Sequence, residues 1–264
     1  MNIAKCWQQL NWEEYFAEAL GTAFMIFVGL SAVVFNMGQG LPMEKSIPAS
    51  SWRLLLTGTV FAGSGSLVAI SPLGKLSGGH INPSVSLAFW LQGKMHHCDF
   101  IGYVVAQFLG AIAGECLLIV LWRDYAQSVN NGMTLPGENY ALWYVFLAEV
   151  SIAFLLVFLI LIFVSTKALM RWTPLMTWIV IALMVWLESP ISGTSLNPAR
   201  SFAPALLSNI WQAQWIYAIA PPLGAVAGVL GFRLLTFGER EILTGKLFHE
   251  PNYRCIFKNI APFL

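Results

Sequence analysis

A seven-residue phrase occurs twice in this chain. The first copy is Ser77-Gly78-Gly79-His80-Ile81-Asn82-Pro83 and the second is Ser192-Gly193-Thr194-Ser195-Leu196-Asn197-Pro198, with the asparagines 115 positions apart. A second pair keeps nearly that offset. Ala106-Gln107-Phe108-Leu109-Gly110-Ala111-Ile112-Ala113-Gly114 returns 114 positions later as Ala220-Pro221-Pro222-Leu223-Gly224-Ala225-Val226-Ala227-Gly228. Ala17-Glu18 and Ala148-Glu149, each heading a long apolar run, form a looser third pair. Three landmarks in one order describe a duplicated half. In a membrane protein, such repeats put the functional site where the halves meet.

The solvent for this chain is lipid. Hydrophobic residues make up 57% of it and charged residues 10%, against about 25% charged in a soluble domain. A spanning helix takes roughly 20 mostly apolar residues. Six runs qualify, at about 15–36, 51–73, 99–122, 141–165, 172–188 and 212–236. The first is too long for a cleavable signal peptide. A net charge of +1 says nothing about nucleic acid, but there is no basic patch, and no nucleic-acid partner is expected. Cys6, Cys98, Cys116 and Cys255 have no spacing that suggests a metal site or a disulfide. His96 and His97 are not assigned a metal, and no cofactor is implied.

Orientation follows from Lys and Arg in the loops. Lys5, Lys75, Lys94, Lys167, Arg171, Arg240, Lys246, Arg254 and Lys258 fall on one side, against Lys45, Arg53 and Arg123 on the other. The richer side is expected in the cytoplasm, with both termini. Each repeat holds three spans, so the second half is inverted relative to the first. The expected divisions are an N-terminal segment 1–14, a body 15–237 (repeats 15–122 and 141–237) and a polar cytoplasmic tail 238–264.

Two apolar stretches, about 83–92 and 198–207, are too short to span. Roughly ten residues make about 15 Å of helix, half of a hydrocarbon core of about 30 Å. Two half-helices entering from opposite faces would cross the bilayer together, with their N-termini meeting near the midplane. Asn is a favoured N-cap and Pro a favoured first helical residue. The Ser-Gly segments before them would be non-helical chain at membrane depth, tolerated only inside protein or along a wet cavity.

Asn82-Pro83-Ser84 and Asn197-Pro198-Ala199-Arg200 resemble the paired signature of the major intrinsic proteins, the aquaporin family. The resemblance covers roughly residues 15–237 and includes Glu18, Glu149, Gln107 and His80 in their expected contexts. Ser84 departs from the usual Ala. The resemblance implies an all-α membrane protein with six transmembrane helices and two re-entrant half-helices in inverted halves. It further implies a pore in each monomer, a homotetramer in the plasma membrane, and water and small neutral solutes as permeants. Two facing helix N-termini, each carrying roughly half a positive charge, disfavour cations and protons. The Asn82 and Asn197 amides donate to a passing oxygen and interrupt a proton wire. Glu18 and Glu149 are expected to accept hydrogen bonds from the re-entrant loop of their own half, with Gln107 in support. His80 is expected in the vestibule or bracing the loop.

Arg200 occupies the first turn of a short helix, where a cation opposes the helix dipole by about 0.3–1 kcal/mol. Its repeat counterpart is Val85, so symmetry does not require it. An arginine in a membrane segment is a functional candidate by default. Ungapped counting from the two Asn-Pro motifs carries the family's filter positions onto Ala62, Val185, Thr194 and Arg200. The aromatic and His of water-selective members are absent from the first two. The set resembles the small, aliphatic filters of plant nodulin-type members, which implies a pore open to glycerol, urea or metalloid hydroxides. A strictly water-selective pore is the alternative. An ion-coupled transporter would want ionisable groups along the pore beyond Arg200, a structural role would leave the pore incidental, and an enzyme would need a nucleophile–base pair or metal cluster that the sequence lacks. Glu115 in the third span is left without an assigned role; a buried pair with Arg233 of the last span is one reading.

Overall fold

The computed structural model describes residues 10–257, and among these all regular structure is helical; Lys5, Cys6 and Lys258 lie outside the described residues. Six helices are long and apolar enough to cross a membrane: α1 (Trp12–Met37), α2 (Ser50–Ile70), α4 (His97–Trp122), α5 (Leu142–Val164), α6 (Thr173–Ser192) and α8 (Gln214–Leu235). The two half-span helices that begin at the Asn-Pro motifs are α3 (Pro83–Leu91) and α7 (Pro198–Ser208). The helices pack in a repeated scheme. In the first half α4 lies along α1, and in the second α8 lies along α5, while α2 and α6 face each other between the halves.

The duplicated small-residue phrase explains the first two contacts. A Cβ on Gly110 would come within 2.2 Å of the Ala19 carbonyl oxygen, and one on Gly224 within 2.4 Å of the Val150 carbonyl oxygen. Each glycine lets a neighbouring backbone approach where lipid offers no hydrophobic drive to helix association. Gly110→Val is therefore expected to separate α4 from α1, at a cost of at least about 1–3 kcal/mol of overpacking. Recovery of monodisperse protein in detergent measures this, and wild-type recovery would refute it.

Three expectations need correction. The fifth run, placed at about 172–188, extends as α6 to Ser192, with Pro190 inside the helix. Gly193 closes it instead, at φ 80°, its N–H bonded to Ser189 O at 2.8 Å. Cys98 is disulfide-bonded, although no cysteine spacing suggested pairing. A disulfide depends on which segments meet in space, and spacing along the chain does not encode that. The donor atoms of His96, His97 and Cys98 lie within 4.8 Å of one another, but a sulfur held in a disulfide is no thiolate ligand. His96 Nδ1 accepts from Cys98 N at 3.3 Å and caps α4.

The third correction concerns Glu115 and Arg233, which do not pair. Arg233 Nη2 donates to Leu91 O at 2.8 Å and the side chain reaches Gln92 Oε1 at 3.4 Å, placing a cation at the C-terminal end of α3, where the helix dipole favours one. Glu115 is fully buried, neither carboxyl oxygen has a hydrogen-bond partner among the described residues, and the cation whose field it feels is Arg200.

Candidate functional site

The two copies of the repeated phrase adopt matching backbones. Gly78, Gly79 and Ile81 have φ of 97°, 66° and 44°; Gly193, Thr194 and Leu196 have 80°, 52° and 58°. The left-handed region costs a non-glycine residue roughly 1–2 kcal/mol, most for β-branched Ile81 and Thr194. Buried carboxylates hold these loops. Glu18 Oε1 accepts from Ser77 Oγ (2.8 Å) and His80 N (2.9 Å), while Oε2 accepts from Ile81 N (2.6 Å) and Gln107 Nε2 (2.8 Å). Glu149 Oε1 accepts from Ser192 Oγ (2.5 Å) and Ser195 N (2.7 Å), and Oε2 from Leu196 N (3.1 Å). Both glutamates are fully buried.

Sequence reasoning missed a second pair of loop supports. Tyr103 Oη donates to Ser77 O at 2.6 Å and Tyr217 Oη to Ser192 O at 2.7 Å. The two tyrosines are 114 positions apart, the same offset as the glycine-rich landmark, and that offset was the available signal.

Each loop ends in an asparagine that performs two tasks. Asn82 Oδ1 accepts from Ser84 N at 2.8 Å and caps α3; Asn197 Oδ1 accepts from Ala199 N at 3.0 Å and Arg200 N at 3.4 Å and caps α7. Pro83 and Pro198 stand at the first helical positions, where a missing N–H costs nothing. The amide nitrogens then cross between halves. Asn82 Nδ2 donates to Leu196 O and Asn197 Nδ2 to Ile81 O, both at 2.9 Å. An amide group has two N–H donors, so one from each asparagine remains for a guest. Both asparagines line a single cavity of about 190 Å³.

Ala62, Val185, Thr194 and Arg200 line that same cavity. Ser84 and Ala199 are buried at the starts of the half-helices. Arg200 is buried; its Nη1 donates to Gly132 O at 2.8 Å and its guanidinium carbon lies 5.5 Å from the Phe61 ring centroid. Phe61 also lines the cavity and was not singled out from sequence, although it adjoins Ala62. Glu188 was missed as well. Its Oε2 accepts from Thr194 Oγ1 at 2.6 Å, a bond that helps hold Thr194 in its left-handed conformation. The only signal was an acidic residue near the end of an apolar run. Ser201, next to Arg200, sits between Ser195 Oγ (2.6 Å) and Thr134 Oγ1 (2.7 Å).

His80 is buried. Nδ1 is 3.1 Å from Ser86 Oγ and Nε2 is 2.8 Å from Gly245 O. It therefore braces the loop against the C-terminal segment while also bordering the cavity. Chemically, the arrangement offers donors along a narrow path: two amides, one guanidinium and two helix N-termini. All are suited to oxygen acceptors and opposed to cations.

Comparison with known proteins agrees with this geometry. The family model "Major intrinsic protein" matches residues 5–232. The chain is similar to "Probable aquaporin NIP-type" of Nicotiana alata, 30% identical and covering 87% of this chain and 80% of that protein. It is also similar to "Nodulin-26" of Glycine max, 30% identical over 86% of this chain and 79% of that protein. Among solved structures, the aquaglyceroporin from Plasmodium falciparum superposes with a TM-score of 0.67 at 20% identity, covering 83% of this chain and 94% of that one; that likeness concerns the fold.

Proposed function

The chain belongs to the major intrinsic protein family, and from that premise we propose a passive transmembrane channel that conducts water and small uncharged solutes and excludes ions and protons. The observation that carries this reading is the head-to-head pair of Asn-capped half-helices, cross-bonded through Asn82 and Asn197, on a cavity that also holds Arg200. Pore dimensions and donor placement of this kind set selectivity among neutral solutes, and fixed positive potential rejects cations. No step of this function needs a nucleophile, metal or cofactor.

The filter is Ala62, Val185, Thr194 and Arg200, with small or aliphatic side chains on two sides. It passes glycerol, urea or metalloid hydroxides as well as water. The named likeness to NIP-type relatives is consistent with that set. The channel unit is residues 15–237, it resides in the plasma membrane with both termini cytoplasmic, and it assembles as a homotetramer.

Stopped-flow light scattering on proteoliposomes tests the filter. Vesicles are challenged first with an impermeant osmolyte and then with glycerol. Shrinkage faster than in empty vesicles, followed by equally accelerated glycerol re-swelling, is expected. Fast shrinkage with glycerol entry at the empty-vesicle rate would favour a strictly water-selective pore. That second reading has one observation behind it: Phe61, beside Ala62, lies against Arg200 and can narrow the path where the filter residues leave it wide.

A further inference from the structure

The segment after α8 does not hang free. Leu243 N donates to Val164 O at 3.1 Å, at the end of α5, and Leu247 N to Gly78 O at 2.9 Å, in the first re-entrant loop. Between them Gly245 O lies 2.8 Å from His80 Nε2. Lys246 is fully buried, and its ammonium donates to Arg254 O at 2.6 Å and to Lys75 O. An ammonium taken out of water is costly unless partnered, so this is a built contact. Arg254 ties the far end to the start of α1, with Asn11 Oδ1 at 2.7 Å and the carboxylates of Glu14 and Glu13 at 3.4 and 3.7 Å. Phe257 packs with its ring centroid 5.4 Å from that of His80. The segment thus runs from the second half of the molecule to the first, across the face that carries both described ends.

One side chain of this segment enters the pore wall. Leu247, 7% exposed, lines the same cavity as Asn82, Leu196 and Arg200 and packs in the cluster that includes Val85 and Leu196. It offers water neither donor nor acceptor, and an apolar constriction closes a channel by dewetting.

We propose that residues 241–257 form a strap that constricts the pore at this mouth, with Leu247 as the stopper and the buried Lys246 as the latch. The proposal rests on the channel reading above. Leu247 stands in the wall of the path between the two halves, so full conduction requires the strap to shift. The strap's two anchorages, at Val164 and at Glu13–Glu14, lie to either side of the stopper. The latch reaches the carbonyls of Lys75 and Arg254, so releasing it loosens the strap beside Leu247 without touching either half-helix.

The test uses the full-length chain in proteoliposomes, with water permeability per reconstituted channel read by stopped flow. Leu247→Ala removes the stopper. Lys246→Ala releases the latch and leaves the pore wall untouched, so it serves if the first variant fails to fold. Each is expected to raise permeability at least ~5-fold over the intact chain, and Leu247→Trp to lower it. Folded Leu247→Ala or Lys246→Ala channels that conduct as the intact chain does would overturn the constriction and leave the channel reading standing. If intact chain and variants alike match empty vesicles, the channel reading fails and the constriction fails with it.

Discussion

Replacing Glu149 with Leu is expected to leave no folded channel in the membrane. Three donors converge on this carboxylate: the Ser192 hydroxyl and the backbone N–H groups of Ser195 and Leu196. Hydrogen bonds to a charged group contribute about 1.5–3 kcal/mol each, and a buried donor left unmade costs its desolvation as well. The combined loss, on the order of 5 kcal/mol, is comparable with the whole stability of many domains. The loop it holds also has Thr194 and Leu196 at positive φ, conformations that persist only when their surroundings over-determine them. Glu149→Gln keeps one acceptor oxygen and should recover part of the protein. The amount of monodisperse protein extracted from membranes decides the matter. A Glu149→Leu channel that purifies and conducts like wild type would remove the carboxylate from the account of how the second half-helix is held.

A large effect on selectivity is expected at Ala62. An indole is a large, rigid ring that buries roughly 150–250 Å² of surface, far more than the methyl group it would replace at the cavity wall. Ala62 faces that cavity beside Val185, Thr194 and Arg200, so an added ring extends into open space and leaves packed neighbours in place. Ala62→Trp should cut glycerol permeability at least ~10-fold, about 1.4 kcal/mol of barrier, while water continues to pass. The measurement belongs in the Leu247→Ala background, where the mouth does not limit flux. Unchanged glycerol entry through folded Ala62→Trp protein would move the constriction elsewhere, with Phe61 the first place to look.

Much of the architecture is legible without coordinates. Six apolar runs and two stretches too short to span are local properties of composition and length, and the Asn-Pro starts are local capping chemistry. The inverted arrangement follows from counting spans between repeated landmarks. Counting from the same motifs reaches four residues that line one cavity. What escaped was non-local. Glu115 could be matched to Arg233 only because both are charges in spans. The fold instead gives Arg233 to the end of α3 and leaves Glu115 in the field of Arg200. Glu188 and Phe61 carry no motif, and they matter only because α6 and α2 turn them toward Thr194 and Arg200.

The tail shows the division most clearly. By composition and charge it is a polar cytoplasmic stretch after the last span, and nothing in its spacing says what it packs against. In the structure, Lys246 is buried and Leu247 stands in the cavity wall. Sequence alone determined the membrane fold, the duplicated halves and the two helix starts that meet inside it, because these are set by the composition of single segments, by a repeat written along the chain and by capping chemistry within one turn. The Cys98 disulfide, the partners of the buried charges and the position of the strap depend on contacts between segments far apart in the chain, and only the tertiary structure decided them.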